Sequence, residues 1–250
     1  MRGGSNRFDV VVVGAGIVGL ATTRALLARD SSLRVLVLER APRPAEGQSG
    51  HNSGVIHSGI YYRPGSHKAR LCREGRSKLL EFCRESGIDC RISGKLLLAT
   101  DDAELARLRM LETRGRENGL QGLRWLDSEE IREVEPEAVG AGALHVPEAG
   151  VVDYGEVCAA LHRELAGRGV EFRFESALQT ARDAGGEVRI QSVAGTEAAG
   201  ALVACAGLYA DEIARRCGLR QPARIVPFRG EYWVLSPAAA AKVRSLIYPV

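Results

Sequence analysis

The chain opens on an apolar, β-branched run from Phe8 to Val13, the pattern of a parallel strand buried on both faces. Three glycines follow, and then Ile17, Leu20, Ala21, Leu26 and Leu27 repeat with helical spacing. A second strand is predicted from Arg34 to Glu39, completing one strand-helix-strand unit. From Ala41 to Gly65, Gly, Ser, Pro and His accumulate, which predicts a long loop with a short helical turn. Loops of that length inside a compact domain are usually functional. A helical stripe at Leu71, Cys72, Leu79, Phe82 and Cys83 then occupies Ser66 to Ser86 and closes at Gly87.

Further along, Lys95 to Thr100 reads as a strand, and Asp101 with Glu104 heads a helix ending near Gly119. Asp127 with Glu130 repeats that signature before a short helix. A helix over Tyr154 to Arg168 precedes a strand at Val170 to Glu175 and alternating strands at Leu178 to Arg182 and Glu187 to Val193. Leu202 to Ala206 is another strand, running into Gly207 and a helix. With no repeat or linker in view, the expectation is two interleaved domains: 1–87 and 148–224 in one, and 88–147 with the start of a further segment at 225–250 in the other.

Composition narrows the class without naming the chemistry. A hydrophobic fraction of 45% and a charged fraction of 26% over 250 residues are those of a globular protein with a sizeable core. The net charge of +3, with basic and acidic residues interspersed, argues against nucleic acid as a partner. Six cysteines show no C-x-x-C pair and no metal-ligand spacing with the five histidines, so free thiols and no metal site are expected. Met1-Arg2 ahead of the apolar Val10 to Leu20 imitates a signal peptide. Asp9 and the glycine spacing speak against it, and the stretch falls short of the ~20 residues that span a bilayer. Only seven residues precede the first strand, so a cytoplasmic protein is expected, with peripheral contact at the inner face of a membrane left open.

The sharpest chemical signal is Gly14-x-Gly16-x-x-Gly19 between strand and helix, with Glu39 ending the next strand 20 residues past Gly19. Gly14 permits a tight turn, Gly16 lets backbone approach a pyrophosphate, and Gly19 lets the helix pack closely on the sheet. Ile17 and Val18 open that helix, whose N-terminal N–H groups and positive dipole end favour phosphate. Glu39 is the natural acceptor for ribose hydroxyls. The fingerprint does not separate FAD from NAD, and no second copy supports a reductase carrying both nucleotides. Small residues at Ala206 and Gly207 would let backbone approach a bound cofactor.

A second cluster spans Gln48 to Tyr62 and gathers His51, Asn52, Ser53, His57, Tyr61 and Tyr62 among glycines. Oxidising an alcohol requires a group that takes the hydroxyl proton as hydride leaves carbon, and a histidine suits that task. His57 is the first candidate and His51 the second. Arg63, Lys68, Arg70, Lys95 and Arg229 are the cations that could pair with substrate carboxylates. Trp125, Trp233 and the remaining tyrosines read as core or interface residues.

Taken in order, VVVGAGIVGLATTRALL with VLVLE, QSGHNSGVIHSGIYYRPGSHKARLC, GKLLLAT, GVVDY, CAGLYAD and VPFRGEYW resemble the L-2-hydroxyglutarate oxidase/dehydrogenase family, within the wider D-amino-acid-oxidase-like group. The resemblance implies an α/β fold, in which a Rossmann-type FAD-binding domain is interleaved with an α+β substrate domain. It implies non-covalent FAD and oxidation of L-2-hydroxyglutarate to 2-oxoglutarate, with hydride passing from C2 to flavin N5. Electrons would continue to a quinone, another carrier or O2. By that resemblance Gly14, Gly16, Gly19, Glu39 and Arg40 hold adenosine and pyrophosphate, and Ser49, His51, Asn52, Ser53 and Gly54 line the flavin. Ala177 meets the adenine by its backbone, and Ala206 with Gly207 completes the cofactor shell. His57, Tyr61, Tyr62, Lys68, Arg70, Lys95, Arg229 and Tyr232 fall on the substrate side. Family members continue past the point where this sequence stops, at Ile247 to Val250, so the substrate domain is expected to be incomplete. A different 2-hydroxy acid or amino acid as substrate, or a catalytically silent FAD-binding protein, are the other readings.

Overall fold

The computed structural model describes residues 7–220 and 223–250. The signal-peptide reading at Met1-Arg2 falls outside the described residues. In chain order, β1 (Arg7–Val13), α1 (Ile17–Arg29) and β2 (Val35–Leu38) come first, followed by β3 (Val55–Ile56), α2 (His67–Ser86), β4 (Cys90–Arg91) and β5 (Lys95–Ala99). Next are α3 (Asp102–Glu117), β6 (Arg124–Leu126), α4 (Ser128–Val134), β7 (Gly142–Val146) and β8 (Gly150–Val152). Then come α5 (Tyr154–Gly167), β9 (Glu171–Arg173), β10 (Leu178–Asp183), β11 (Val188–Ser192), β12 (Gly195–Ala204), a 3-10 turn at Gly207–Tyr209 and α6 (Ala210–Arg216). The last elements are α7 (Pro237–Ala240) and β13 (Leu246–Pro249).

Contacts divide the chain into two compact units, Met1–Asn52 with Tyr154–Gly230, and Ser53–Asp153 with Glu231–Val250. The two units alternate along the chain, which passes from one to the other at Asn52/Ser53, so α2 belongs to the second unit. The cause is visible in β3: Val55 and Ile56 pair with Val151 and Gly150 of β8, which ties the second half of the Gly-rich loop to the second unit.

The first unit is a six-stranded sheet in the order β10-β11-β12-β1-β2-β9. Its centre, β12-β1-β2-β9, is parallel and β10-β11 are antiparallel additions. Val11, Val12, Leu36 and Val37 are wholly buried, as strands covered on both faces require. The strand predicted from Leu202 begins earlier, at Gly195. Its first half, Gly-Thr-Glu-Ala-Ala, carries too few large apolar residues to read as a strand, and the turn at Ser192–Gly195 pairs it with β11 all the same. Buried Glu197 lies in this half, with one carboxylate oxygen held by Arg173.

The second unit holds a four-stranded sheet, β13-β5-β7-β6, and a three-stranded one, β3-β8-β4. The Leu-rich β5 shows no polar alternation because both its faces are covered. Leu97 and Ala99 pack with Ile60, Leu108 and Leu120 on one side, and Leu96 packs with Leu126 and Ile131 on the other. The helix caps follow the sequence closely: Ser66 accepts from Ala69 N, Gly87 closes α2 at φ 66°, and Asp127 with Glu130 forms a complete capping box. Asp101 accepts from Glu104 N, while the Glu104 carboxylate turns to Thr100 instead of closing a box.

Residues 41–52 hold the short helical turn expected in this loop, with successive hydrogen bonds from Gly50 N to Gly47 O (3.1 Å) and His51 N to Gln48 O (3.3 Å), and Pro42 and Pro44 keep it from extending into a helix. One expectation fails locally. Trp233 is 91% exposed, on a stretch from 223 to 236 without regular secondary structure, whereas Trp125 is half-buried with its indole N–H donated to Glu112.

Candidate functional site

The first unit builds a cradle from backbone. Gly14 N donates to Leu38 O (2.8 Å) and Cys205 N to Val13 O (2.8 Å), which draws the ends of β1, β2 and β12 together. Gly14 has φ 107°, and a Cβ there would stand 2.5 Å from Cys205 O. At Gly19 a Cβ would run into the Gly14 carbonyl oxygen, so the start of α1 lies against the turn only because both positions lack side chains. Helix α1 has Gly16 as its cap residue, no side-chain cap of its own and no acid in its first turn. Ser49 Oγ accepts from Ile17 N at 2.9 Å, and Val18 is exposed. Nothing in the helix's first turn neutralises its positive end, which suits a ligand pyrophosphate.

Glu39 pins this turn. Its Oε2 accepts from Ala15 N at 2.7 Å and its Oε1 from Ala41 N at 2.9 Å. A carboxylate has about four acceptor positions, so two remain for further donors. Alongside it, Glu175 N donates to Ala41 O (3.0 Å) and Ser176 N to Glu39 O (2.8 Å), bringing Ala177 beside the end of β2. The Arg40 guanidinium stacks 3.8 Å from the centre of the Tyr209 ring, and Tyr209 N donates to Ala206 O (3.0 Å). Tyr209 joins the cradle without having been expected there, although it stands next to the Ala206-Gly207 signal in sequence. His51 is exposed, its Nδ1 3.1 Å from Gly47 O, and Asn52 donates to Gln48 O and Ser49 O. Both residues therefore bond back onto their own turn.

Side chains build the cluster of the second unit. After β3, residues 57–62 turn sharply at Gly59 (φ 93°) and are clamped from two helices. Cys72 Sγ of α2 donates to His57 O (3.3 Å). Arg114 of α3 donates to Tyr61 O (3.0 Å), and Asn118 donates to Gly59 O (3.1 Å) and Tyr62 O (2.8 Å). The clamp sets Tyr61 over Lys95, whose Nζ lies 4.6 Å from the centre of the Tyr61 ring and 4.0 Å from that of Tyr248. Lys95 is 2% exposed, and among the described residues no carboxylate pairs with it. Burial pulls its pKa down to about 8. The Tyr61 phenol is pushed up to about 12 by burial and then by Tyr248. His57 is exposed at the surface yet partly enclosed by its neighbours. That partial burial, then the Lys95 charge, holds its pKa below the usual imidazole value, so the ring is neutral at physiological pH.

The remaining expected residues stand apart from this geometry. Lys68 and Arg70 lie on the exposed first turns of α2, and Arg70 is engaged by Glu74 at 3.0 Å. Arg63, Arg229 and Tyr232 are exposed, the last two on the irregular 223–236 stretch. Ser53 is exposed, and Gly54 O accepts from Val152 N at 2.9 Å, which makes Gly54 a sheet-closing residue. Tyr248 is the member that residue patterns did not reveal. It reaches Lys95 through strand pairing, β13 running parallel to β5 with Tyr248 opposite Leu97.

Residues 9–250 match the family model described as FAD dependent oxidoreductase, and the chain belongs to that family, with FAD as its cofactor. The chain is 41% identical over 270 aligned positions to the mitochondrial L-2-hydroxyglutarate dehydrogenase of Bos taurus, covering 100% of this chain and 56% of that one. It is 39% identical over 244 positions to the L-2-hydroxyglutarate dehydrogenase of Escherichia coli (strain K12), covering 97% and 58%. The chain thus spans little more than half the length of these relatives. Among solved structures, glycine oxidase from Geobacillus kaustophilus superposes with a TM-score of 0.76 at 28% identity, over 86% of this chain and 59% of that one. The FAD-bound L-alpha-glycerophosphate oxidase from Mycoplasma pneumoniae gives 0.81 at 22% identity, over 97% and 65%, and shares the fold.

Proposed function

We propose that the chain carries the FAD site and a substrate-recognition cluster of an oxidoreductase that converts L-2-hydroxyglutarate to 2-oxoglutarate. The observation that carries this reading is the pairing, within one unit, of a buried ammonium that has no carboxylate partner among the described residues with an imidazole held neutral beside it. A 2-hydroxy acid needs both, a cation for its carboxylate and a base for its hydroxyl proton. The identity to L-2-hydroxyglutarate dehydrogenases supports the choice of acid.

In this reading Gly14, Gly16, Ile17, Val18 and Gly19 take the pyrophosphate, Glu39 and Arg40 the adenosine, and Ala177, Ala206 and Gly207 close around the cofactor by backbone. Ser49, His51, Asn52, Ser53 and Gly54 serve the flavin end. FAD, when bound, supplies the acceptor for the two electrons that leave C2 as hydride. Lys95 holds a substrate carboxylate, with Tyr61 and Tyr62 shaping the approach. His57 accepts the hydroxyl proton. Lys68, Arg70, Arg229 and Tyr232 are further contacts to a dicarboxylate; Arg70 must first leave Glu74. Electrons then pass to a quinone, another carrier or O2, at a membrane periphery or in the cytoplasm. No helix among the described residues is long and apolar enough to cross a membrane.

A second reading, an amino acid as substrate, is favoured by the superposition on glycine oxidase at 28% identity. An anaerobic absorbance spectrum of the chain reconstituted with FAD separates the readings. Bleaching of the flavin band by L- but not D-2-hydroxyglutarate supports the first, and bleaching by an amino acid alone supports the second. A retained flavin that neither reduces leaves a silent FAD-binding protein.

A further inference from the structure

The Lys95 ammonium is held between two rings that approach from different elements. On β5, Lys95 and Leu97 share one face. On β13, Leu246 stands opposite Lys95 and Tyr248 opposite Leu97, which makes Tyr248 the diagonal cross-strand neighbour of the lysine. Tyr61 comes from the clamped turn after β3, on the side where Ile60 packs against Leu97. A lysine this deeply buried normally pairs with an acid, and among the described residues none does so here. Ring faces stabilise positive charge without neutralising it. The ammonium is therefore kept charged while its electrostatic demand stays unmet, the condition in which a ligand carboxylate is recognised most strongly.

We infer that Tyr248 is a positioning residue which, with Tyr61, seats the Lys95 ammonium for one carboxylate of a small dicarboxylic substrate. This rests on the substrate reading proposed above and adds to it the residue that sets the cation's place and charge. Besides the two phenols, His57 is the titratable group among the described residues that feels the Lys95 charge, and it is neutral over the range in which Lys95 ionises. Loss of the Tyr248 ring withdraws one source of support for the charged amine, so its ionisation moves further down and anion affinity falls with it.

The test is calorimetric binding of glutarate, a dicarboxylate with no oxidisable hydroxyl, to the FAD-reconstituted 250-residue chain between about pH 6 and about pH 10, bracketing the amine's titration. Wild-type affinity is expected to fall as pH rises through about 8. Tyr248→Phe, which keeps the ring, should retain both affinity and midpoint. Tyr248→Leu should bind about tenfold more weakly at neutral pH, with the midpoint about one unit lower. If Tyr248→Leu matches wild type in both, the positioning role is wrong while the substrate reading stands. If the wild-type chain binds no dicarboxylate at any pH, the substrate reading itself falls. Should Tyr248→Leu lose its circular-dichroism signature, Tyr61→Leu removes the other ring from a loop, and the same paired shift is required of it. An unshifted Tyr61→Leu then overturns the proposal.

Discussion

The two candidate sites are made of different materials. In the first unit, the candidate site is built from backbone: Gly14, Gly16 and Gly19 matter for the atoms they lack. In the second unit, the candidate site is built from side chains drawn from residues 57, 61, 95 and 248. A backbone site requires local conformation, so its specification is compressed into a short run of sequence. A side-chain site requires that distant segments arrive in register, so its specification is spread over everything that sets that register. The first should fail at single atoms of steric excess, the second through charge and through the clamps that hold its loop.

The largest effect is expected at Gly19→Ala, because the new methyl meets the Gly14 carbonyl and backbone cannot yield as a flexible side chain would. FAD affinity should drop about a hundredfold or more, of the order of 3 kcal/mol, read by quenching of flavin fluorescence. Parent-like binding would remove the backbone half of the contrast.

Lys95→Met comes next and should separate function from stability. Dicarboxylate binding should fall by about a hundredfold, since truncating one partner of a buried charge pair is costly. Stability should instead rise at neutral pH, by up to about 3 kcal/mol. With the folded value at about 8, below the ordinary 10.5, the unfolded chain binds more protons between those values. The lysine's penalty is therefore full below about 8 and fades as pH climbs to 10.5, so the advantage of methionine should vanish above that point. Urea unfolding of both chains at neutral and strongly alkaline pH reads the difference, and a variant less stable at neutral pH would contradict it.

Glu39→Gln should weaken FAD by about tenfold, because the charged acceptor of Ala15 N and Ala41 N becomes neutral and half of it becomes a donor. Fluorescence titration again decides, and an unchanged affinity would show that the turn holds without its carboxylate. The smallest effect is Asn118→Ala, which leaves Gly59 O and Tyr62 O without their amide donor. A loss of about 1–2 kcal/mol in urea unfolding is expected. Weaker glutarate binding should accompany it, and a purely thermodynamic cost with unaltered binding would detach the clamp from the site.

How much was legible follows the same division. The cradle was readable because Gly-x-Gly-x-x-Gly, the flanking strands and Glu39 are all local demands, and the caps at Ser66, Gly87 and Asp127 were readable for the same reason. His57, Tyr61 and Lys95 could be named as types suited to the chemistry, yet nothing in their spacing said that they meet. Tyr248 was hidden altogether, since only the parallel register of β13 on β5 brings it to the lysine. The unit boundary at Asn52/Ser53 was hidden by the two-residue strand Val55–Ile56, too short to carry a pattern. The first half of β12 was hidden by its small and polar residues.

That same strand has a consequence for how the first unit opens. Ala198 and Ala199 pair on both sides at once, antiparallel with Arg189 and Val188 and parallel with Arg7 and Phe8. The β10-β11 hairpin is thus hinged onto the parallel sheet through a shared pair of residues. Amides from Gly195 to Ala204 are expected to open as one cooperative unit, so their hydrogen exchange should slow together when the Ala206-Gly207 end is occupied. A ligand at the tip of β12 would then be sensed at the far edge of the sheet as a change in protection.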